Sequence, residues 1–255
     1  MTSMDEPIVF ILGAPRSGTS LLMRMLLVNQ PLVGGTDAES QVYALKRKKA
    51  YLTQAALAHP YFKKLIRESD LRDLANSNND FVQLFWSAVE FYLHQHTEKK
   101  VFMEKSPIHT LFWRQILKDY LEVQFILVER NPSATIHSMV TTRWIPIPFK
   151  GLGYNPVFKF LPYIFATLLS YEYFIEAERI KSFGNAAIVK YEEMVQKSPD
   201  DLRISFSKML GVELSELYIE RPFSPEASSR ERKLHTDRID GYKSNTPRSI
   251  LWLHK

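Results

Sequence analysis

The sequence predicts an α/β fold, with a central parallel β-sheet flanked by helices. Three observations carry that expectation. Ile8–Leu12 (IVFIL) is a continuous apolar run, the pattern of a strand buried on both faces, and Val123–Val128 (VQFILV) is a second strongly apolar strand. A glycine-bounded turn, Gly13–Gly18, follows the first run and leads into the helical stretch LLMRMLL. Beyond it, strand candidates alternate with helical segments, which parallel strands need as crossovers.

The elements follow in chain order. Ile8–Leu12 is a strand that stops at Gly13, and Leu21–Leu27 continues as a helix. Glu39–Ala58 and Asp80–His96 are rich in helix formers with apolar residues at helical spacing, so both read as helices. Val101–Met103 is a short strand and His109–Lys118 a helix. After the strand Val123–Val128, Asn131 caps a new helix with Pro132 in its first turn. Tyr163–Lys181 is a long helix, Ala187–Val189 a strand and Pro199–Leu210 a helix.

A single domain spanning 1–255 is expected. Trp144–Phe160 mixes prolines, glycines and aromatics and reads as a lid or acceptor loop, either lining a pocket or packing over the sheet. Residues 224–255 turn polar and basic and stay unassigned.

Composition narrows the function. At 45% hydrophobic and 24% charged, the chain has ordinary globular make-up, which excludes low-complexity and disordered classes. Its cysteine count of 0 rules out disulfides, thiolate–zinc sites and cysteine nucleophiles. A net charge of +5 mildly favours an anionic ligand. The acidic start and short apolar run lack the basic region and roughly 7–15 apolar residues of a secretory signal. The stretch from Pro156 to Ser170, broken by Lys159 and Pro162, is shorter than the roughly 20 residues that span a bilayer. A cytoplasmic protein with no transmembrane segment is expected, and no nucleic-acid partner.

The turn Gly13-Ala14-Pro15-Arg16-Ser17-Gly18-Thr19-Ser20 carries the most chemistry. Between a strand and a helix, such a turn aims backbone N–H groups and the helix dipole at an anion. In nucleotide-hydrolysing P-loops a Lys stands where this chain has Thr19, and here the basic residue has moved to Arg16. Without that Lys a triphosphate–magnesium complex loses a main electrostatic support, and a less charged terminal group fits better. The architecture expected is therefore a P-loop-like three-layer fold.

GAPRSGTS resembles the 5′-phosphosulfate-binding loop of sulfotransferases, which take their sulfuryl group from 3′-phosphoadenosine 5′-phosphosulfate (PAPS). Its arginine-containing form is similar to the tyrosylprotein, carbohydrate and bacterial branches. The resemblance implies that Arg16, Ser17, Gly18, Thr19 and Ser20 hold the 5′-phosphosulfate. The segment VERNPSATIHS, from Val128 to Ser138, is similar to the family's 3′-phosphate site. It implies that Arg130 and Ser138 grip that phosphate, with Arg143 as a further basic contact. Taken singly, Arg130 could instead pair with Glu129. VKYEEM, from Val189 to Met194, resembles the family's short strand ending in Tyr-Glu, so Tyr191 is implied to help hold the nucleotide; a half-buried core tyrosine is the alternative.

Sulfuryl transfer needs an acceptor hydroxyl or amine in line with sulfur, a base for its proton and cations for the leaving phosphate. By the same resemblance Glu39 is implied as general base. Asp37 is its chief rival and His109 a further candidate. Lys105, in the stretch Glu-Lys-Ser-Pro, is implied to face the transferring group together with Arg16; otherwise it is an ion-pair partner of Glu104. No metal is expected. The acceptor can be a small molecule, glycan, lipid or peptide. Two other readings stay open: a P-loop phosphotransferase, and a non-catalytic nucleotide-binding protein of the same fold.

Overall fold

β1 (Ile8–Leu12) is the centre of the molecule, and all five of its side chains are fully buried. Burying each large apolar side chain contributes about 1.5–3 kcal/mol, which is why so short a run can organise a sheet. The sheet has strand order β2-β3-β1-β4-β5 and every pairing is parallel. β2 is Val33–Gly35, β3 Val101–Lys105, β4 Gln124–Glu129 and β5 Ala186–Lys190. The computed structural model describes residues 6–29, 31–45, 51–142, 161–184 and 186–215. Trp144–Phe160, Arg143 and 224–255 lie outside the described residues.

Alternation along the strands separates two cores. Ile8, Phe10, Leu12, Phe102, Phe125 and Leu127 pack on one face against α5 (Phe81–Gln95) and its neighbours α2 (Leu52–Ala58), α3 (Pro60–Leu65) and α4 (Glu68–Ser77). Val9, Ile11, Met103 and Ile126 pack on the other, against α1 (Thr19–Leu27). The helices α9 (Tyr191–Gln196) and α10 (Pro199–Leu210) complete that second layer. Between these elements run α6 (Trp113–Asp119), α7 (Pro132–Thr141) and α8 (Leu161–Phe183). Among the described residues no helix is long and apolar enough to cross a membrane.

The expected capping holds at α7, where the Asn131 side chain accepts the Ala134 N–H at 3.2 Å and Pro132 opens the helix. Three expectations change. Gly34 and Gly35 belong to strand β2, not to a loop. Its side-chain-poor sequence hides it, and Gly35 is needed because a Cβ there would run into the Met103 backbone. The helix expected from Glu39 does not begin there. Gln41 adopts φ 51, in the left-handed region, and is followed by a 3₁₀ turn (Val42–Ala44) in place of a helix. Finally, Tyr191 is not the end of a strand but the first residue of α9.

Candidate active site

The carboxyl ends of β1, β3 and β4 lie side by side, with Ile11 opposite Lys105 and Leu12 opposite Leu127. Their following segments converge at that edge of the sheet, where open α/β folds bind ligands. The turn after β1 has a conformation that its glycines permit. Gly13 and Gly18 have φ 148 and 112. A Cβ on Gly13 would stand 2.6 Å from the Val128 carbonyl oxygen, and one on Gly18 would stand 2.5 Å from the Tyr191 ring. Arg16 shares the left-handed region at φ 71 without being glycine. A strained non-glycine residue of this kind costs about 1–3 kcal/mol and needs its surroundings to hold it.

Arg130 supplies part of that hold. It stands just past β4, and its Nη1 donates to the Arg16 carbonyl at 3.0 Å. The same guanidinium lies over the Tyr191 ring, 4.2 Å from its centroid, a favourable cation–π arrangement. Tyr191 in turn covers Gly18. From the loop side, Arg16 Nε donates to Ser138 Oγ on α7 at 3.4 Å. Arg16, Gly18, Arg130, Ser138 and Tyr191, separated by up to 175 positions in sequence, thus form one contiguous set. Tyr191 is both a buried core residue and a member of this set. Glu129 pairs with Lys181 at 2.6 Å. His137, beside Ser138, bonds to the Tyr163 hydroxyl at 3.0 Å, and burial, then the Arg130 charge, push its pKa down.

A second set lies at the start of α1. The ammonium of Lys105, only 3% exposed, donates to Ser20 Oγ at 3.0 Å and to Glu39 Oε1 at 2.8 Å. Glu104, the neighbouring strand residue, faces the opposite side of the sheet, so the two do not pair with each other. Glu104 is wholly buried; its Oε1 accepts from the hydroxyls of Ser40 at 2.6 Å and Ser106 at 2.7 Å, and its Oε2 lies 2.8 Å from His109 Nδ1. Burial by itself would raise its pKa, but the His109 charge and these bonds outweigh it and bring the carboxyl below its ordinary value.

The other sequence candidates sit elsewhere. Asp37 is turned toward Lys64 at 2.5 Å, and that bond holds its carboxyl below the usual range. His109 is fully buried between Glu104, Phe10 and Tyr43. Ser17 and Thr19 are only 2% exposed and face inward; Ser20 is the exposed hydroxyl of the loop. Arg16 reaches Ser138, and its carbonyl accepts from Arg130.

Helix α1 has Gly18 at its N-cap, so no side chain of that residue caps the N–H groups of the first turn. A helix N-terminus favours negative charge, and Lys105 stands beside this one through Ser20. Beside the loop a cavity of about 450 Å³ opens between Ser17, Arg130, Tyr171, Phe174 and Lys190. Among the described residues no group of three or more His, Asp or Glu side chains is arranged to hold a metal ion.

Sequence reasoning missed Thr110. Its buried hydroxyl accepts the Gly13 N–H at 2.8 Å and donates to the Gly13 carbonyl at 3.0 Å, clamping the start of the loop. The 3₁₀ turn that carries it (Pro107–Leu111) lies where a longer helix was expected, and no motif marks the position. Thr110→Val keeps the shape and removes both bonds. It is expected to lower stability by about 1–3 kcal/mol, the cost of an unpaired buried N–H, in equilibrium urea unfolding. Thr110→Ser should remain near the parent, and equal stability of the valine variant would refute the clamp.

A family model described as "Sulfotransferase family" matches residues 7–206. The structure is similar to the sulfotransferase domain of the Synechococcus PCC 7002 olefin synthase, with a TM-score of 0.60 and 20% identity over 97% of this chain and 91% of that one. It is also similar to sulfotransferase STF1 from Mycobacterium tuberculosis H37Rv, with a TM-score of 0.50 and 13% identity over 95% of this chain and 76% of that one. At such identities these two likenesses speak for the fold alone. No curated protein matches the sequence.

Proposed function

Since the chain belongs to the sulfotransferase family, we propose that it moves a sulfuryl group from PAPS to a hydroxyl or amine of an acceptor molecule. One observation carries this reading. A single buried ammonium, Lys105, touches both a hydroxyl at the N-terminus of α1 and a carboxylate, Glu39, that is about one-third exposed. An anion site and a proton acceptor therefore meet across one cation.

The residues fit the donor. The uncapped start of α1, with Arg16 and Ser20, would take the phosphosulfate end, and Arg130 with Ser138 would take the 3′-phosphate. Tyr191, already stacked on Arg130, would support the nucleotide. The neighbouring cavity, lined by aromatic rings, by Arg130 and Lys190 and by Glu129, Glu178 and Glu192, is of a size that suits a bound small molecule.

In the reaction a bond forms between the acceptor oxygen or nitrogen and sulfur, and the bond from sulfur to the 5′-phosphate oxygen breaks. Glu39 takes the acceptor proton. Charge gathering on the released phosphate would be met by Lys105, Arg16 and the N–H groups of α1. Asp37, committed to Lys64, is less suited to be the base, and buried His109 lacks access to an acceptor.

Turnover measured with radiolabelled PAPS across phenols, lipids, glycans and tyrosine peptides tests the activity. With any acceptor so found, Glu39→Gln is expected to lower kcat by about 10²–10⁴-fold, as loss of a general base does. A Glu39→Gln protein as fast as the parent removes Glu39 from that role. Magnesium-dependent turnover of a nucleoside triphosphate, with no sulfuryl transfer, would replace this function by a phosphotransferase.

A further inference from the structure

Glu39 starts no helix, so something other than regular structure must hold it. The end of β3 grips its segment from both faces. On one face Lys105 donates to Glu39 Oε1. On the other, buried Glu104 accepts the Ser40 N–H at 3.2 Å and the Ser40 hydroxyl at 2.6 Å. One residue further, the Gln41 N–H donates to Ser106 Oγ at 3.1 Å, and that hydroxyl donates to the same Glu104 oxygen.

Fixed in this way, Gln41 is held at φ 51. A residue with a Cβ adopts the left-handed region only under such constraint, at a cost of about 1–3 kcal/mol. The result is that its side chain returns over Glu39, and Gln41 Nε2 donates to Glu39 Oε2 at 3.2 Å. A carboxylate only accepts, so the amide nitrogen must be the end that faces it.

Resting on the reading of Glu39 as proton acceptor, we propose that Gln41 is a positioning residue. Gln41 and Lys105 hold the two carboxylate oxygens separately and so set the plane of the group toward the acceptor. The last torsion of a glutamate side chain is broad and roughly two-fold. With Lys105 alone the carboxylate can pivot about Oε1; the second donor removes that freedom. Gln41 itself touches no substrate and acts through Glu39.

The test is a double-mutant cycle, which isolates coupling between two neighbours. Gln41→Met keeps the length of the side chain and removes the donor. On an exposed residue it should leave the thermal midpoint and the calorimetric affinity for 3′-phosphoadenosine 5′-phosphate unchanged. The kcat is expected to fall about tenfold with KM for the acceptor unaltered, the scale of one hydrogen bond to a charged group. In a Glu39→Asp background the carboxylate is too short to meet the amide. There Gln41→Met should change radiolabel turnover less than about twofold, as uncoupled sites do. A parent-like kcat for Gln41→Met overturns the proposal. So does an equal loss in both backgrounds, or a fall in product affinity alongside kcat. If Glu39→Gln itself is fully active, the base assignment fails, a result distinct from all of these.

Discussion

Lys105→Met is expected to lower kcat by about 10²–10³-fold while the protein stays folded, the scale seen when one preorganised donor facing developing charge is removed. Lys105 touches both the loop after β1 and Glu39, through Ser20 at 3.0 Å and Glu39 at 2.8 Å. Its burial keeps the ammonium dehydrated and close, so water does not replace it well. Stability should change little by comparison. Glu39 is about one-third exposed, and once unpaired it can be solvated while keeping its Gln41 bond. Lys105→Arg should not restore activity, because a planar fork needs more room than a point charge in a site that is 3% exposed. Turnover within threefold of the parent for Lys105→Met, in a protein with an unchanged melting curve, would remove Lys105 from the reaction.

Glu104→Gln is expected to be the most destabilising of these changes, by about 3–5 kcal/mol, because it replaces a fully buried carboxylate to which Ser40, Ser106 and His109 all bond. The amide presents N–H groups where His109 or the hydroxyls of Ser40 and Ser106 need an acceptor. For a domain of this size that loss corresponds to a fall of roughly 2–4 °C in the thermal midpoint per kcal/mol. The pH dependence has a definite sign. The folded carboxyl sits below its ordinary value of 4.5, so its contribution is fully present above that value and is lost as pH falls through the folded one. Parent and Glu104→Gln stabilities should therefore be furthest apart near neutrality and converge in acid. Parallel curves down to the acid limit would show that the carboxylate charge plays no part.

Much of this architecture was legible because it rests on local pattern. β1 announced itself as an unbroken apolar run, β4 by its apolar centre, and Asn131-Pro132 as a helix start. That Arg130 and Ser138 would meet at the loop was readable from their spacing after β4, and both contact Arg16. β2 was not, since three residues with two glycines carry no strand preference. Nor was the turn at Gln41, whose left-handed conformation is imposed by Glu104 and Ser106 from 60 and more positions away. The same distance hides Thr110: its partner Gly13 is brought to it only by the folded sheet. Alternation at the end of β3 explains the ambiguity at Lys105. Adjacent Glu and Lys suggest a surface pair, but a strand buried on both faces sends them to different partners.

The packing of Tyr191 on Gly18 and of Val128 over Gly13 sets bounds on how the protein can be redesigned. Neither glycine leaves space for a single added methyl group, so the shape of the anion cradle is locked by sterics and offers no graded adjustment. Any attempt to retune the proposed donor site must instead vary the side chains around the turn, and among them Arg130 carries a structural cost, because its bond to the Arg16 carbonyl helps hold the turn in place.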